Sequence, residues 1–403
     1  MQTIVLEEPY EFVPPVYSWF WPRVLQFVVP GHLRRTFGVT SIETRGVERL
    51  RAVLDAGESV LLAPNHSRLS DPMTFNALAR QAGCFPHAMA SWHLFKESRL
   101  NCFLLRRVGA FSVYREGLDR RSIDTAVDIL TLGKRPLIVF AEGAISRHND
   151  ELMPLMDGLA FIARTAARRR EKQGAAAGVS VLPVAIRYFF RGDLAASVLP
   201  VVEEIEAHFS WHPQRDKGLV ERLRQIGQAL LSLKEIEYVG YARHGDFYER
   251  VDQLLRDVLA QLEAQWGLKD RNEGIVARVK AIRSAIVPQL IDGATPPARK
   301  EDFRKQLAAC YYLQQMSHYP RDYVRLSKPN IVEHVLETVE RFEEDFTDRA
   351  RPHPPLHAVL QVGEPVRVES RRERGVDEDP VMAAVRGQLS AMLRKLSEEA
   401  ARI

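Results

Sequence analysis

The chain has 403 residues, enough for two domains or for one domain enlarged by an insertion. Its 56 basic and 52 acidic residues give a formal charge of +4, which is too mild to indicate a nucleic-acid-binding protein. The three cysteines are scattered, without a CxxC pair or a neighbouring histidine cluster, so the sequence predicts neither a disulfide framework nor a metal site.

The first 44 residues are predicted to form an amphipathic membrane-contact segment. Residues 16–30 are rich in aromatic and apolar side chains and are followed by His32, Arg34 and Arg35, a combination suited to the surface of an anionic bilayer. The stretch is shorter than the roughly 18 apolar residues of a spanning helix, and the N-terminus lacks a signal peptide's basic start. We therefore expect a peripheral protein on the cytoplasmic face of a membrane. Alternatively, Trp19 and Trp21 cap the core.

Strand and helix patterns alternate between about residues 45 and 205. Apolar runs predict strands near 59–63, 86–90, 110–114, 136–141 and 180–188. Helical periodicity predicts helices near 71–82, 93–106, 119–132 and 155–172. This alternation predicts an α/β fold with a mostly parallel central sheet flanked by helices.

A histidine and an aspartate directly follow the first of these strands, in the run Asn65-His66-Ser67-Arg68-Leu69-Ser70-Asp71. A histidine at a strand end can take a proton from a substrate hydroxyl, while a carboxylate at the start of the next helix fixes its tautomer. His66 and Asp71 are thus a candidate general base and its orienting partner. A structural histidine paired with the aspartate would give the same spacing.

Three further segments follow in order: 109–115 (GAFSVYR), 140–147 (FAEGAISR) and 181–186 (VLPVAI). With the Asn-His-four-residues-Asp run, they resemble the four motif blocks of the glycerolipid acyltransferase family, which includes glycerol-3-phosphate and lysophosphatidate acyltransferases. The resemblance spans roughly residues 45 to 205.

The resemblance implies transfer of a fatty acyl group from acyl-CoA or acyl-carrier protein to a lipid hydroxyl, with no further cofactor. It implies His66 as base and Asp71 as its partner. It also implies substrate contacts by a larger set, namely Asn65, Gly109, Arg115, Glu142, Gly143, Ser146, Arg147 and Pro183. Simpler roles stay open: a helix cap for Glu142, plain turns for both glycines, and a surface ion pair for Arg115.

Two positions depart from the family pattern. Ile145 stands where many members have an arginine, and Asp157 stands where a lysine is usual. The loss of two cations is a reason to question simple glycerol 3-phosphate or lysophosphatidate as acceptor, and a non-phosphorylated or aminolipid acceptor is an alternative that would explain it. An inactive lipid-binding scaffold is a further alternative. So is a hydrolase that activates water, although the Gly-x-Ser-x-Gly elbow is absent.

The sequence beyond about residue 205 changes to charged, helical patterns, with predicted helices at 219–233, 247–266, 275–291, 303–316 and 331–346. Strand character returns at 356–368, before a final helix from about 380 to 401. We therefore expect residues 206–354 to be a helical insertion of unknown role, and residues 355–403 to complete the acyltransferase domain of 45–205.

Overall fold

The computed structural model describes residues 7–117, 119–269, 274–321, 323, 331–371 and 378–400. The chain divides into two compact units. The sheet unit comprises the described parts of Glu11–Tyr114, Asp119–Asp193 and Arg351–Ile403. The helical unit comprises those of Met1–Tyr10, Arg115–Leu118 and Leu194–Ala350. Of the first 44 residues, the described residues 7–10 belong to the helical unit and residues 11–44 to the sheet unit.

The described part of the sheet unit contains eight strands, which are β1 Val39–Arg45, β2 Ser59–Pro64, β3 His87–Ser91, β4 Ala110–Val113, β5 Leu137–Ile138, β6 Val179–Phe190, β7 Leu356–Val362 and β8 Val366–Arg367. Their order in the sheet is β1-β7-β6-β2-β5-β3-β4, with β8 also paired to β6. Strands β6, β2, β5, β3 and β4 run parallel, whereas β7 and β8 are antiparallel to β6. The predicted α/β class with a mostly parallel sheet is confirmed.

Nine helices belong to the sheet unit, namely α1 Phe20–Leu25, α2 Val29–Phe37, α3 Val47–Asp55, α4 Asp71–Ala82, α5 His93–Lys96, α6 Arg99–Arg107, α7 Arg120–Leu132, α8 Gly158–Lys172 and α15 Pro380–Ala400, counted over its described residues. Helices α7, α8 and α15 bury apolar side chains against the sheet in one core, which includes Leu61, Val181 and Val359. Every residue of β2 and β6 is buried. Such continuously buried and mostly apolar strands are typical of a parallel sheet covered on both faces.

The helical unit contains α9 Leu194–His208, α10 Leu219–Val239, α11 Phe247–Gln265, α12 Ile275–Ile291, α13 Pro297–Met316 and α14 Ile331–Thr347 among its described residues. After this unit the chain re-enters the sheet. Strand β7 lies between β1, to which it is parallel, and β6, to which it is antiparallel.

Most sequence-predicted elements agree with the structure within a few residues. Strand β5 is shorter than predicted, and the helix expected at 93–106 is divided into α5 and α6. Strand β1 and helices α1, α2, α3 and α9 were not predicted. β1 alternates in exposure, because it is an edge strand whose exposed positions carry polar residues.

Candidate functional site

Strand β6 continues beyond the end of its neighbour β2, and this overhang shapes the site. The parallel register ends at Pro64 and Val184, which leaves six further residues of β6 without a strand on that side. Two buried asparagines take the place of the strand. The Asn65 amide accepts from Ile186 N–H at 2.7 Å and donates to its carbonyl at 3.0 Å. Asn149 bonds both backbone groups of Tyr188 in the same way, at 3.0 and 3.2 Å.

Asn65 therefore satisfies backbone groups that burial would otherwise leave unpaired. This contact fixes the start of the loop that carries His66. Asn65 is 2% exposed, and its amide makes these bonds within the protein. Its observed role is to position the loop.

The structure brings His66 and Asp71 together. His66 Nδ1 lies 2.9 Å from Asp71 Oδ2. Asp71 is fully buried at the start of α4, where a carboxylate is favoured by the helix dipole. Because the carboxylate accepts, Nδ1 carries the proton and Nε2 keeps a free lone pair.

Two more donors hold the Asp71 carboxylate. The backbone N–H of Arg68 donates to Oδ2 at 2.9 Å, and the hydroxyl of Tyr188 donates to Oδ1 at 2.5 Å. Burial, followed by the Asp71 charge, raises the pKa of Tyr188 well above its ordinary value, so this hydroxyl stays protonated. Both oxygens of Asp71 are thus occupied by donors.

The imidazole of His66 packs on Phe140, with ring centroids 4.1 Å apart and planes tilted by 32°. Phe75 meets the same phenyl ring edge-on at 6.3 Å. The His66 side chain remains 15% exposed, and its Nε2 makes no hydrogen bond to the described residues. An oriented imidazole with an accessible basic nitrogen can remove a proton from a bound hydroxyl.

Glu142 links the loop after β5 to the loop after β2. One carboxylate oxygen accepts the backbone N–H of His66, and the other accepts that of Met153 at 2.9 Å. Glu142 is 2% exposed, and burial raises its pKa to about 8 against the downward effect of these two hydrogen bonds. Its observed contacts position the backbone around His66.

Gly143 adopts a φ of +69°, a conformation that side chains disfavour. A Cβ atom there would overlap the sulfur of Met156. Gly143 therefore permits a left-handed turn directly beneath a neighbouring loop.

Ser146 and Arg147 continue this loop beside the dyad. The backbone N–H of Ser146 donates to the carbonyl of His66 at 2.8 Å, and its hydroxyl donates to the carbonyl of His148 at 3.0 Å. Arg147 has a φ of +66°, which is uncommon for a residue with a side chain and is associated with functional loops. Ile145, at the position where the family pattern has arginine, is 6% exposed.

Two other predicted residues lie elsewhere in the sheet unit. Gly109 precedes β4, at the amino edge of the parallel strands, whereas His66 follows the carboxyl end of β2. Its φ of +98° and the His87 ring, 2.8 Å from where a Cβ atom would lie, account for a glycine there. Pro183 lies within β6, where its carbonyl accepts from Gly363 N–H at 2.8 Å in the break between β7 and β8. A missing N–H is tolerated at such a break.

Arg115 follows β4 but belongs to the helical unit. It is half-buried, and burial together with the positive charge of Arg283 lowers its pKa, while Glu116 acts in the opposite direction. Arg283 donates to Glu116 at 2.6 Å. The observed surroundings of Arg115 are thus those of a local charge cluster in that unit.

Sequence reasoning assigned no role to Tyr188, Asn149 or Phe140, although all three hold the dyad or its strand. A tyrosine two residues beyond the apolar-Pro-apolar strand is consistent with an ordinary core position. Only the overhang of β6 shows that its hydroxyl reaches Asp71.

Among the described residues, no group of three or more histidine, cysteine, aspartate or glutamate side chains is arranged to hold a metal ion. None of the described helices combines the length and apolar character needed to cross a bilayer.

Residues 41–187 match the family model described as Acyltransferase, the glycerolipid acyltransferase family. The resemblance found in the four sequence motifs is thereby confirmed. No match was found among curated proteins.

Proposed function

We propose that this chain, which carries a glycerolipid acyltransferase-family domain at residues 41–187, transfers a fatty acyl group from an acyl thioester to a lipid hydroxyl. The acceptor is glycerol 3-phosphate, a lysophospholipid or a related lipid, and the donor is acyl-CoA or acyl-carrier protein. The observation that carries the proposal is the 2.9 Å contact between His66 and Asp71, which leaves Nε2 of His66 accessible.

In this mechanism, Nε2 of His66 takes the proton of the acceptor hydroxyl as its oxygen bonds to the thioester carbonyl carbon. The resulting oxyanion collapses, the carbon–sulfur bond breaks, and the thiolate leaves with the proton from the imidazolium. Asp71 stabilises that imidazolium through Nδ1–H. No covalent acyl-enzyme is needed, because the thioester is already activated. A positioned general base contributes typically about 10²- to 10⁴-fold to the rate.

Two features bear on the chemical class of the acceptor. Ile145 is buried, and Asp157 lies directly before α8, so neither position supplies the positive charge found there in many family members. Arg147, in its left-handed conformation next to Ser146, follows Ile145 by two positions and could supply a positive charge from the same loop. A non-phosphorylated or aminolipid acceptor therefore remains the second candidate.

The test measures thiol release from palmitoyl-CoA and from palmitoyl-carrier protein, with and without glycerol 3-phosphate, lysophosphatidate and lyso-aminolipids, for the wild type and for His66→Ala. Release that requires one acceptor and falls about a hundredfold or more in His66→Ala supports the proposal. Equal release with and without acceptors indicates a hydrolase. No release with any donor contradicts acyl transfer and favours a scaffold.

We also propose that the sheet unit binds the surface of an anionic membrane through its N-terminal helices and α6. Large apolar side chains on α1 and the following turn are strongly exposed, among them Phe20 at 65% and Phe27 at 70%. Helix α6 buries none of its residues and adds exposed Leu100 and Phe103. Trp19 is half exposed, which argues against a role in capping the core.

Charge and packing support one continuous surface. The Trp21 ring contacts Phe103 with centroids 5.2 Å apart, and Val16 N–H donates to the Arg106 carbonyl at 2.9 Å. The guanidinium of Arg107 lies 3.6 Å from the Phe103 ring centre. Residues 98–107 include three arginines and no acidic residue. Exposed aromatic groups beside cations suit an anionic lipid headgroup region.

Sedimentation with phosphatidylcholine vesicles, with or without phosphatidylglycerol, tests this surface. Wild type is expected to sediment with the anionic vesicles, and the Phe20→Ser/Phe27→Ser variant to remain in solution. Tyr241→Ser, which removes an aromatic side chain that is 61% exposed in the helical unit, is the matched control. Unchanged sedimentation of the double variant contradicts the proposed membrane surface.

A further inference from the structure

Tyr188 lies on the overhanging part of β6 and is fully buried. Its hydroxyl donates to Asp71 Oδ1 at 2.5 Å and lies 2.8 Å from Ser70 Oγ. Its backbone is held on one side by Asn149 and on the other by pairing with Ala358 of β7. The phenol is therefore fixed at both its backbone and its hydroxyl.

The two carboxylate oxygens of Asp71 accept hydrogen bonds from different groups. Oδ2 faces His66 Nδ1 and the Arg68 N–H, whereas Oδ1 faces the Tyr188 hydroxyl. Rotation of the carboxylate would break a contact on each side. A hydrogen bond from a neutral donor to a carboxylate also stabilises its charged form.

We infer that Tyr188 is a positioning residue for the dyad: its hydroxyl orients Asp71 towards His66 and withdraws part of the negative charge that Asp71 presents to the imidazole. The inference rests on the proposed function only in taking the dyad as the base. A phenylalanine would occupy the same place on β6, as it does at the next two positions of that strand, so the hydroxyl needs a separate explanation. The hydroxyl bonds Ser70 and Asp71, and both belong to the loop and helix start that carry the dyad.

Two other ionisable groups act on the same hydrogen-bonded chain. The Arg68 guanidinium lies over the Tyr188 ring, 5.4 Å from its centre, and partly opposes the rise in the pKa of the phenol that burial and Asp71 cause. Glu142 interacts electrostatically with Asp71 and bonds the backbone of His66. Arg68 and Glu142 are both retained when only the Tyr188 hydroxyl is removed. That substitution therefore measures the effect of the hydroxyl alone.

The test is Tyr188→Phe in the full chain, with His66 titrated by NMR of its ring and with steady-state kinetics. Without the hydroxyl, Asp71 presents more negative charge to the imidazolium, so the NMR titration midpoint of His66 is expected to lie at higher pH than in the wild type. The value of kcat is expected to fall about tenfold, because Asp71 loses the hydrogen bond that orients its carboxylate towards His66, with KM within about twofold.

Two variants accompany it. Ser70→Ala removes the second hydrogen-bond partner of the phenol. It is expected to shift the titration midpoint of His66 in the same direction as Tyr188→Phe, by a smaller amount. Tyr323→Phe removes a hydroxyl that donates to the buried carboxylate of Glu337 in the helical unit, and is expected to leave His66 unchanged. It controls for the general effect of losing a buried phenol.

An unchanged His66 pKa and kcat in folded Tyr188→Phe overturns the inference. If that variant does not fold, Ser70→Ala decides: an upward shift of the His66 pKa supports the inference, and an unchanged pKa overturns it. The NMR titration needs no substrate. Failure of acyl transfer in the wild type therefore refutes the proposed function separately from the coupling between Tyr188 and His66.

Discussion

The Glu142 carboxylate accepts the backbone N–H of His66 and, through its other oxygen, that of Met153. Two loops that follow different parallel strands are thus joined by one buried side chain. Such an arrangement fixes the backbone of the base without contacting the base's ring. It also places a titratable group where burial opposes ionisation.

Glu142 is expected to make stability fall as pH rises. Its pKa is about 8 in the folded protein, compared with an ordinary value of 4.5, so the folded state holds a proton that the unfolded state has lost between these values. The free energy of unfolding should decrease through this window, by up to about 1.4 kcal/mol per pH unit. Urea unfolding of the wild type and of Glu142→Gln between pH 6.5 and 8 measures this decrease in the free energy of unfolding. A wild-type curve parallel to that of the variant would contradict the prediction.

His87 is expected to make stability fall as pH decreases, in a lower pH range than the effect of Glu142. Burial and Arg135 lower its pKa to about 4 from 6.5, so below pH 6.5 the unfolded state takes up a proton that the folded state does not. Stability should fall as pH drops from 6.5 to 4, by at most roughly 3 kcal/mol.

His87→Asn keeps a donor near the Gly109 carbonyl, which His87 Nδ1 bonds at 2.8 Å, and removes the titration. Its unfolding free energy should depend less on pH than that of the wild type over the same window. An equal loss in both proteins would show that His87 is not the group responsible.

Asp71→Asn is expected to lower kcat by about a hundredfold or more, with KM less affected. An amide carries no negative charge with which to stabilise the imidazolium of His66. It also places an N–H group opposite one of the three groups that donate hydrogen bonds to Asp71 in the wild type. Thiol release with the acceptor identified for the wild type measures the effect, and circular dichroism establishes that the variant is folded. Wild-type turnover in this variant would refute the dyad.

Gly143→Ala is expected to destabilise the protein more than Gly174→Ala. Both glycines have a φ of +69°, so both substitutions incur the cost of a left-handed alanine, about 1–2 kcal/mol. A Cβ at Gly143 also meets Met156, whereas one at Gly174 meets no described atom within 4 Å. The difference between the two melting temperatures isolates that contact. Equal values would show that Met156 moves aside freely.

The sequence by itself determined the fold class and the central motif. Apolar runs of strand length, alternating with helical periods, predicted the parallel sheet because strands buried on both faces consist mostly of apolar residues. His66 and Asp71 are only five positions apart, across a strand end and a helix start, so their contact depends on local structure that the sequence predicts. The family match at 41–187 agrees with this interpretation.

Only the tertiary structure decided which distant residues surround that pair. Tyr188 lies 117 positions from Asp71, and its hydroxyl reaches the carboxylate because β6 extends past β2. Gly109 and Arg115 flank β4 in the sequence, yet Gly109 lies at the amino edge of the sheet and Arg115 belongs to the helical unit. Strand register, overhang and the packing partners of each loop depend on contacts between remote segments, which local patterns do not specify.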